Sequence, residues 1–201
     1  MRPLPGPAPA PGFADPVADS QRTFRALLDA IARPGTVARV GAAVAAPAPL
    51  SPAAAASLLT LVDFETPLWL DPAARAPEVD TWLRFHCGAP LVPDAAQARF
   101  ALVAGPATAL LPLDRFPAGD DAYPDRSATL IVLVADLRPG SGWRLTGPGI
   151  EDEARLAVDG LPAGFAAAWA ANRALFPRGI DLFLAAGDRV AALPRTVRIE
   201  E

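Results

Sequence analysis

Residues 176–196, FPRGIDLFLAAGDRVAALPRT, constrain the fold of this chain more than any other stretch. Two short apolar runs, 180–186 and 190–193, flank Gly187-Asp188. Gly accepts a positive φ and Asp hydrogen-bonds its own backbone, so the pair specifies a tight turn between two strands. Pro194 ends the return strand, because it has no N–H for the ladder. Apart from Asp181, the first strand is mostly apolar on both faces, so both need cover. Strands covered on both sides belong to layered α/β domains. Most of this hairpin is core architecture. Arg195 and Thr196, just past its exit, are the polar groups placed to line the rim of a site or an interface.

The rest of the chain supplies partners for that hairpin. Residues 1–12 are almost entirely Pro, Ala and Gly. They have little to bury and read as an extended, mobile tail, which leaves 13–201 as one α/β domain. Asp19 or Ser20 caps a helix over 21–33, in which Phe24, Leu27, Leu28 and Ile31 make an apolar stripe, and Pro34-Gly35 ends it. Ser51-Pro52 starts a second helix, to about 62. Pro77 opens a third, which Gly88 closes, and Leu161-Pro162 open a fourth, to about 173. Strands are expected over 36–40, 66–70, 100–104, 129–134 and 143–146. Residues 107–111 read as a hairpin partner for 100–104, and 138–142 as a turn. The run over 129–134 is fully apolar and belongs at the centre of the sheet. Strands and helices mixed in this order predict a mixed sheet with helices on both faces.

Composition removes several function classes. The 201 residues are 52% hydrophobic, enough for one domain with a sizeable core. No uninterrupted apolar run reaches membrane-spanning length, and the first residues lack signal-peptide order, so a soluble cytoplasmic protein is expected. The net charge of −4 gives no general attraction to nucleic acid or to an anionic membrane. Cys87 is the only cysteine, which rules out an internal disulfide and a thiolate metal cluster. All 18 basic residues are arginine. Without lysine there is no side-chain Schiff base, hence no covalently held pyridoxal phosphate, and no P-loop lysine. Any phosphate or phosphonate would be held by arginine forks, backbone amides or a metal.

The candidate constellations are sparse. His86, the only histidine, stands beside Cys87, but neighbours in sequence do not make a catalytic dyad. Beside Trp82 and Phe85 it reads as a packed residue with one satisfied nitrogen, although Arg84 and His86 together are suited to an anion. Asp63 and Glu65, before Thr66-Pro67, are explained by capping and turn formation. Asp120, Asp121 and Asp125 lie in a polar loop over 112–126, where solvation is the simpler reading and a cation or carboxylate pair the sharper one. In Gly147-Pro148-Gly149 the proline has no N–H to offer a phosphate. No ligand set for a metal emerges.

Several strings nevertheless resemble one family in order and spacing. FRALLDAIARPG (24–35), LVDFETPLWL (61–70), WLRFHCGAPL (82–91), RLTGPGIE (144–151) and the hairpin itself are similar to the PhnH family of the bacterial phosphonate carbon–phosphorus lyase system. The resemblance runs from about Phe13 to the end. It implies a three-layer αβα sandwich similar to the large domain of pyridoxal-phosphate-dependent transferases, without that cofactor. It implies a core complex with the partner proteins PhnG, PhnI and PhnJ. It also implies a role with PhnG, PhnI and the accessory PhnL in displacing adenine from ATP by methylphosphonate, giving ribose 1-methylphosphonate 5-triphosphate. Carbon–phosphorus cleavage then belongs to PhnJ. The resemblance casts the family as an assembly or binding component, with a homodimer expected for the isolated chain. It transfers no catalytic residues. The residues singled out for ligand binding are Arg84, His86, Arg195 and Thr196, with Asp63 and Thr66 behind them. The alternatives are a stand-alone phosphonate- or nucleotide-binding module and a small-molecule enzyme.

Overall fold

The computed structural model describes residues 9–41, 43–105 and 110–200. Residues 1–8 of the predicted tail and 107–109 of the predicted hairpin partner lie outside them. Among the described residues the strands form a seven-stranded and a three-stranded sheet. In the larger one, β5 (Thr129–Leu133) is central, as its apolar run requires. It pairs in parallel with β4 (Phe100–Val103) on one side and β8 (Asp181–Ala186) on the other. Beyond β4, strands β2 (Leu68–Leu70) and β3 (Leu91–Val92) extend the parallel set. Beyond β8, strands β9 (Arg189–Leu193) and β1 (Ala38–Arg39) run antiparallel. The mixed α/β architecture and the β8–β9 hairpin are those expected from the sequence.

The strands alternate between two apolar cores. Leu68, Leu70, Leu102, Ile131, Phe183 and Ala185 enter one. Trp69, Ala101, Val103, Leu130, Val132, Leu182 and Leu184 enter the other. Helices α1 (Pro16–Ala32), α2 (Pro52–Leu61) and α3 (Pro77–His86) cover the first. Each has proline in its first turn, where the missing N–H costs nothing. The Ser51 hydroxyl accepts the Ala54 N–H at 3.2 Å, and alanines 53–56 of α2 are fully buried, so this helix lies close on the sheet.

Two details of α1 differ from expectation. It begins five residues earlier, with Asp15 as the cap accepting the Ala18 N–H at 3.0 Å, while Asp19 accepts the Asp15 N–H at 2.9 Å. Its inward face is Thr23, Leu27 and Ala30; Phe24 and Leu28 point outward, 50% and 54% exposed. The sequence holds two overlapping apolar arcs, and periodicity alone does not say which one meets the sheet.

The second core is covered by α4 (Phe165–Arg173) together with the three-stranded antiparallel sheet, in the order β10 (Arg198–Glu200), β6 (Asp136–Thr146), β7 (Ala154–Asp159). That outer layer is therefore part helix and part sheet. Residues 138–142 are not a turn; they are the middle of β6, where the pairing with β7 shifts between Pro139 and Trp143. Strands β3, β7 and β10 are additional to those expected, and α4 starts later than Leu161. Trp169 of α4 donates its indole N–H to the Val197 carbonyl at 2.9 Å, fixing the helix beside β10. Arg189 of β9 ion-pairs with Asp136 and donates to the Leu137 carbonyl at 2.8 Å, tying the small sheet to the large one. Hydrogen bonds from Arg138 hold both the Asp136 and Asp159 carboxyls below the usual carboxylate range, with Arg189 adding to the effect at Asp136.

The rotated α1 face gives a direct test. Leu27→Ala is expected to cost about 2–5 kcal/mol in chemical denaturation, because Leu27 is only 1% exposed. Phe24→Ala is expected to stay within about 0.5 kcal/mol of the parent.

Candidate functional site

Arg195, just beyond β9, holds several segments together. Its Nε and one terminal nitrogen embrace the Asp181 carboxylate at the start of β8. The same terminal nitrogen donates to Ser127 Oγ, and the other reaches the carbonyls of Pro124 at 3.0 Å and Pro177 at 3.2 Å. All five guanidinium N–H donors are thus engaged within the chain. The backbone N–H of Arg195 also donates to Asp181 Oδ1 at 2.7 Å. Both side chains are mostly buried, at 14% and 17% exposure. Arg195 is a clamp with no donor left for an anion. Thr196 contributes its carbonyl to Arg173 Nε at 3.3 Å.

The other sequence candidates fall into two groups. Asp63 and Thr66 close a local turn: the Thr66 hydroxyl donates to the Asp63 carbonyl at 2.9 Å and accepts the Asp63 N–H at 2.7 Å. Asp63 Oδ1 accepts the Glu65 N–H at 2.9 Å. His86 packs against Trp82 and Phe85, each with ring centroids 4.9 Å away, and its Nε2 lies 2.9 Å from the Ala10 carbonyl. A carbonyl accepts only, so Nε2 carries the proton. The chain at residues 9–12, read from sequence with the tail, thus runs against α3. Beside His86, burial pushes the Cys87 thiol up to about 12, with Asp63 adding to the rise. At neutral pH this sulfur is a protonated thiol and a poor nucleophile.

The polar loop is internally engaged as well. Asp120 Oδ1 accepts the N–H groups of Ala122 and Tyr123 at 2.9 and 2.7 Å, and Asp121 ion-pairs with Arg178 at 3.2 Å. The turn over 147–149 packs on the end of α1: a Cβ on Gly149 would lie 2.0 Å from the Ala32 carbonyl oxygen. That approach uses the glycine for packing. Among the described residues, no group of three or more His, Cys, Asp or Glu is placed to hold a metal ion.

Arg84 is different. It lines a cavity of about 190 Å³ with Leu70, Arg75, Asp80, Leu91, Val92 and Pro93. The cavity sits between α3 and the carboxyl ends of β2 and β3, the edge of a parallel sheet where ligands commonly bind. Arg75 is fixed there by Nε donating to the Leu70 carbonyl at 3.0 Å. Buried Asp71, next in sequence after Leu70, accepts the N–H groups of Ala74 and Gly105 at 2.8 and 2.7 Å and shapes the adjoining loops. Asp71, Arg75 and Asp80 are site residues that sequence reasoning does not single out. The four-residue spacing of Asp80 and Arg84 on α3 is the legible signal.

Comparison with known proteins settles the family. A family model described as bacterial phosphonate metabolism protein (PhnH) matches residues 11–200. This chain belongs to the PhnH family. The PhnH relative of Rhizobium meliloti (strain 1021), named alpha-D-ribose 1-methylphosphonate 5-triphosphate synthase subunit PhnH, is 46% identical over 188 residues, 94% of each chain. A putative C-P lyase subunit protein, HtxG of Stutzerimonas stutzeri, is 42% identical over 76 residues, 38% of this chain and 39% of that one. The PhnH assignment is the one to which the sequence motifs point, and it places the chain in phosphonate metabolism.

Two outcomes follow for this PhnH member. Arg195→Leu is expected to lose about 2–3 kcal/mol in denaturant titration, below the loss at a fully buried pair because some solvent reaches this one. Arg195→Lys, lacking the planar fork, is expected to recover little of it. Cys87 in the folded chain is expected to react with iodoacetamide at pH 8 at least about a hundredfold more slowly than in denaturant, measured by intact mass.

Proposed function

We propose that this chain is a component of a ribose 1-methylphosphonate 5-triphosphate synthase, acting with PhnG, PhnI and PhnL and residing in a core complex with PhnJ in the cytoplasm. The observation that carries this is the identity to the Rhizobium meliloti synthase subunit over 94% of both chains. The chain contributes surface and binding to the complex and does not turn over substrate alone. Support for that division of labour comes from the site residues. Arg195 is saturated, His86 Nε2 faces a main-chain carbonyl, and the Cys87 thiol is held protonated. With no lysine in the sequence, it works without a pyridoxal-phosphate Schiff base.

The surface through which it joins the complex is the outer side of the helix layer. Val17, Phe24 and Leu28 form a solvent-facing apolar stripe on α1, and Phe64 and Phe85 are exposed around the end of α3. Side chains of this size are depleted from surfaces that stay in water and enriched in interfaces. Another protein of the synthase covers the α1 stripe.

Reconstitution tests both statements. The purified chain is expected to release no adenine from ATP and methylphosphonate, and to be required when PhnG, PhnI and PhnL are present. Turnover by the chain alone, or full activity of the mixture without it, would refute the reading. Phe24→Asp combined with Leu28→Asp is expected to leave the thermal unfolding of the chain within a few degrees of the parent and to abolish co-elution with the other synthase proteins. Loss of a homodimer with co-elution intact would instead assign the stripe to self-association.

A further inference from the structure

We propose that the cavity between α1, β1 and the turn joining β8 to β9 binds a neutral polyhydroxylated ring. Monosaccharides and cyclitols are the class that fits.

The case begins with a hydroxyl. Thr23 of α1 is only 4% exposed, and it lines this cavity of about 320 Å³. A helical Ser or Thr commonly satisfies its hydroxyl on the carbonyl four residues back. Ser57, Thr60 and Thr81 do so here, at 2.8, 2.7 and 2.7 Å. Thr23 makes no such bond, nor any other hydrogen bond among the described residues. Its oxygen is not sealed inside the protein either; the sealed side-chain atoms without a partner belong to Asp80, Trp82 and Arg178. Thr23 therefore offers the cavity an unused donor and an unused acceptor, on a side chain that α1 holds in place.

The rim sets the charge of the occupant. Two ion pairs line the cavity, Arg22 with Asp19 and Arg39 with Asp188, the second at 2.5 Å. Two acids and two bases leave no net charge, and an ion drawn to one member of a pair is repelled by the other. A neutral ligand keeps both pairs intact. Each guanidinium spends one nitrogen on its carboxylate, and Asp188 Oδ1 accepts nothing among the described residues. The rim thus adds charge-assisted donors and an acceptor to the Thr23 hydroxyl. Between these polar groups, Phe13, Val40 and Val44 supply an apolar wall. Water alone would satisfy the hydroxyl and leave that wall wet. A polyhydroxylated ring does both tasks, with hydroxyls at its edge and C–H groups on its faces, and it loses less freedom on binding than an open chain. The volume stands at the lower end of the roughly 300–1,000 Å³ of ligand pockets, which suits a small ring. This inference is independent of the role proposed for the chain in a synthase, because binding is read on the chain alone.

Saturation-transfer NMR of the full chain with D-glucose, D-galactose, D-xylose and myo-inositol tests it. At least one of the four is expected to bind saturably at a single site. Glucose 6-phosphate and glucosamine, added as competitors, are expected to displace the bound ring no better than D-glucose does, because the site favours neither sign of charge. Thr23→Val, which removes the hydroxyl and nearly keeps the shape, is expected to weaken binding about fivefold. Absence of saturable binding by all four, stronger displacement by either charged compound, or unchanged affinity in Thr23→Val would overturn the proposal. The comparison among ligands needs no variant, so it decides the matter even where the substitution fails to fold.

Discussion

A strand buried on both faces cannot stand alone, and that constraint organises this molecule. Strands β4, β5 and β8 carry apolar side chains alternately to two cores. Each face then needs a cover of its own, and each backbone needs a neighbour on either side. The first requirement produces the layer of α1, α2 and α3 on one side and the layer of α4 with the small sheet on the other. The second sets β5 between β4 and β8 in parallel pairing. Small residues make the first cover tight: with alanine at 53–56, α2 sits against the sheet without bulky side chains holding it away.

Polar residues at the strand ends decide how the covers attach. Asp181 opens β8, in a strand otherwise apolar, and its carboxylate is held by Arg195 at the far end of the hairpin. Through Pro124 and Ser127 the same guanidinium fixes the loop entering β5, and through Pro177 the approach to β8. One arginine thus ties the starts of two adjacent parallel strands to the exit of a third. Arg189 does comparable work between the two sheets through Asp136 and Leu137. The absence of lysine suits these roles, since a fork with five donors satisfies several segments at once and an ammonium cannot match its planar geometry.

How much of this is legible in the sequence depends on whether the signal is local. The β8–β9 hairpin and central β5 can be read because apolar runs and a Gly-Asp turn are properties of adjacent residues. The phase of α1 cannot, because Phe24 and Leu28 fit the same helical period as Leu27; only the sheet beneath determines which arc is inward. Pro139, Gly140 and Gly142 look like a turn, and in isolation such residues form one; pairing with β7 converts them into a displaced segment of a long strand. At the site, Arg195 stands out in the sequence but its task does not, since donor saturation depends on Pro124, Ser127 and Pro177, residues distant in sequence. Asp63 and Thr66 prove as local as they look. Asp80 escapes notice because the observation that marks it, a buried oxygen without a donor, exists only in three dimensions.

The distribution of satisfied and unsatisfied groups argues for where this molecule meets other molecules. On the side of the clamp, Arg195, Asp181, Ser127 and Trp169 have their hydrogen bonds filled from within the chain. On the helix layer, the apolar stripe of α1 faces solvent, and Phe64 and Phe85 are exposed near the end of α3. Asp80 and Arg84, on that same α3, are the spaced acid and base that leave each other unpaired. Exposed aromatic area and an unsatisfied buried carboxylate both raise the free energy of the isolated chain. Leu175 and Phe176, beside the clamp, are exposed as well, so apolar area that a partner would cover lies on both layers, with the continuous stripe on α1.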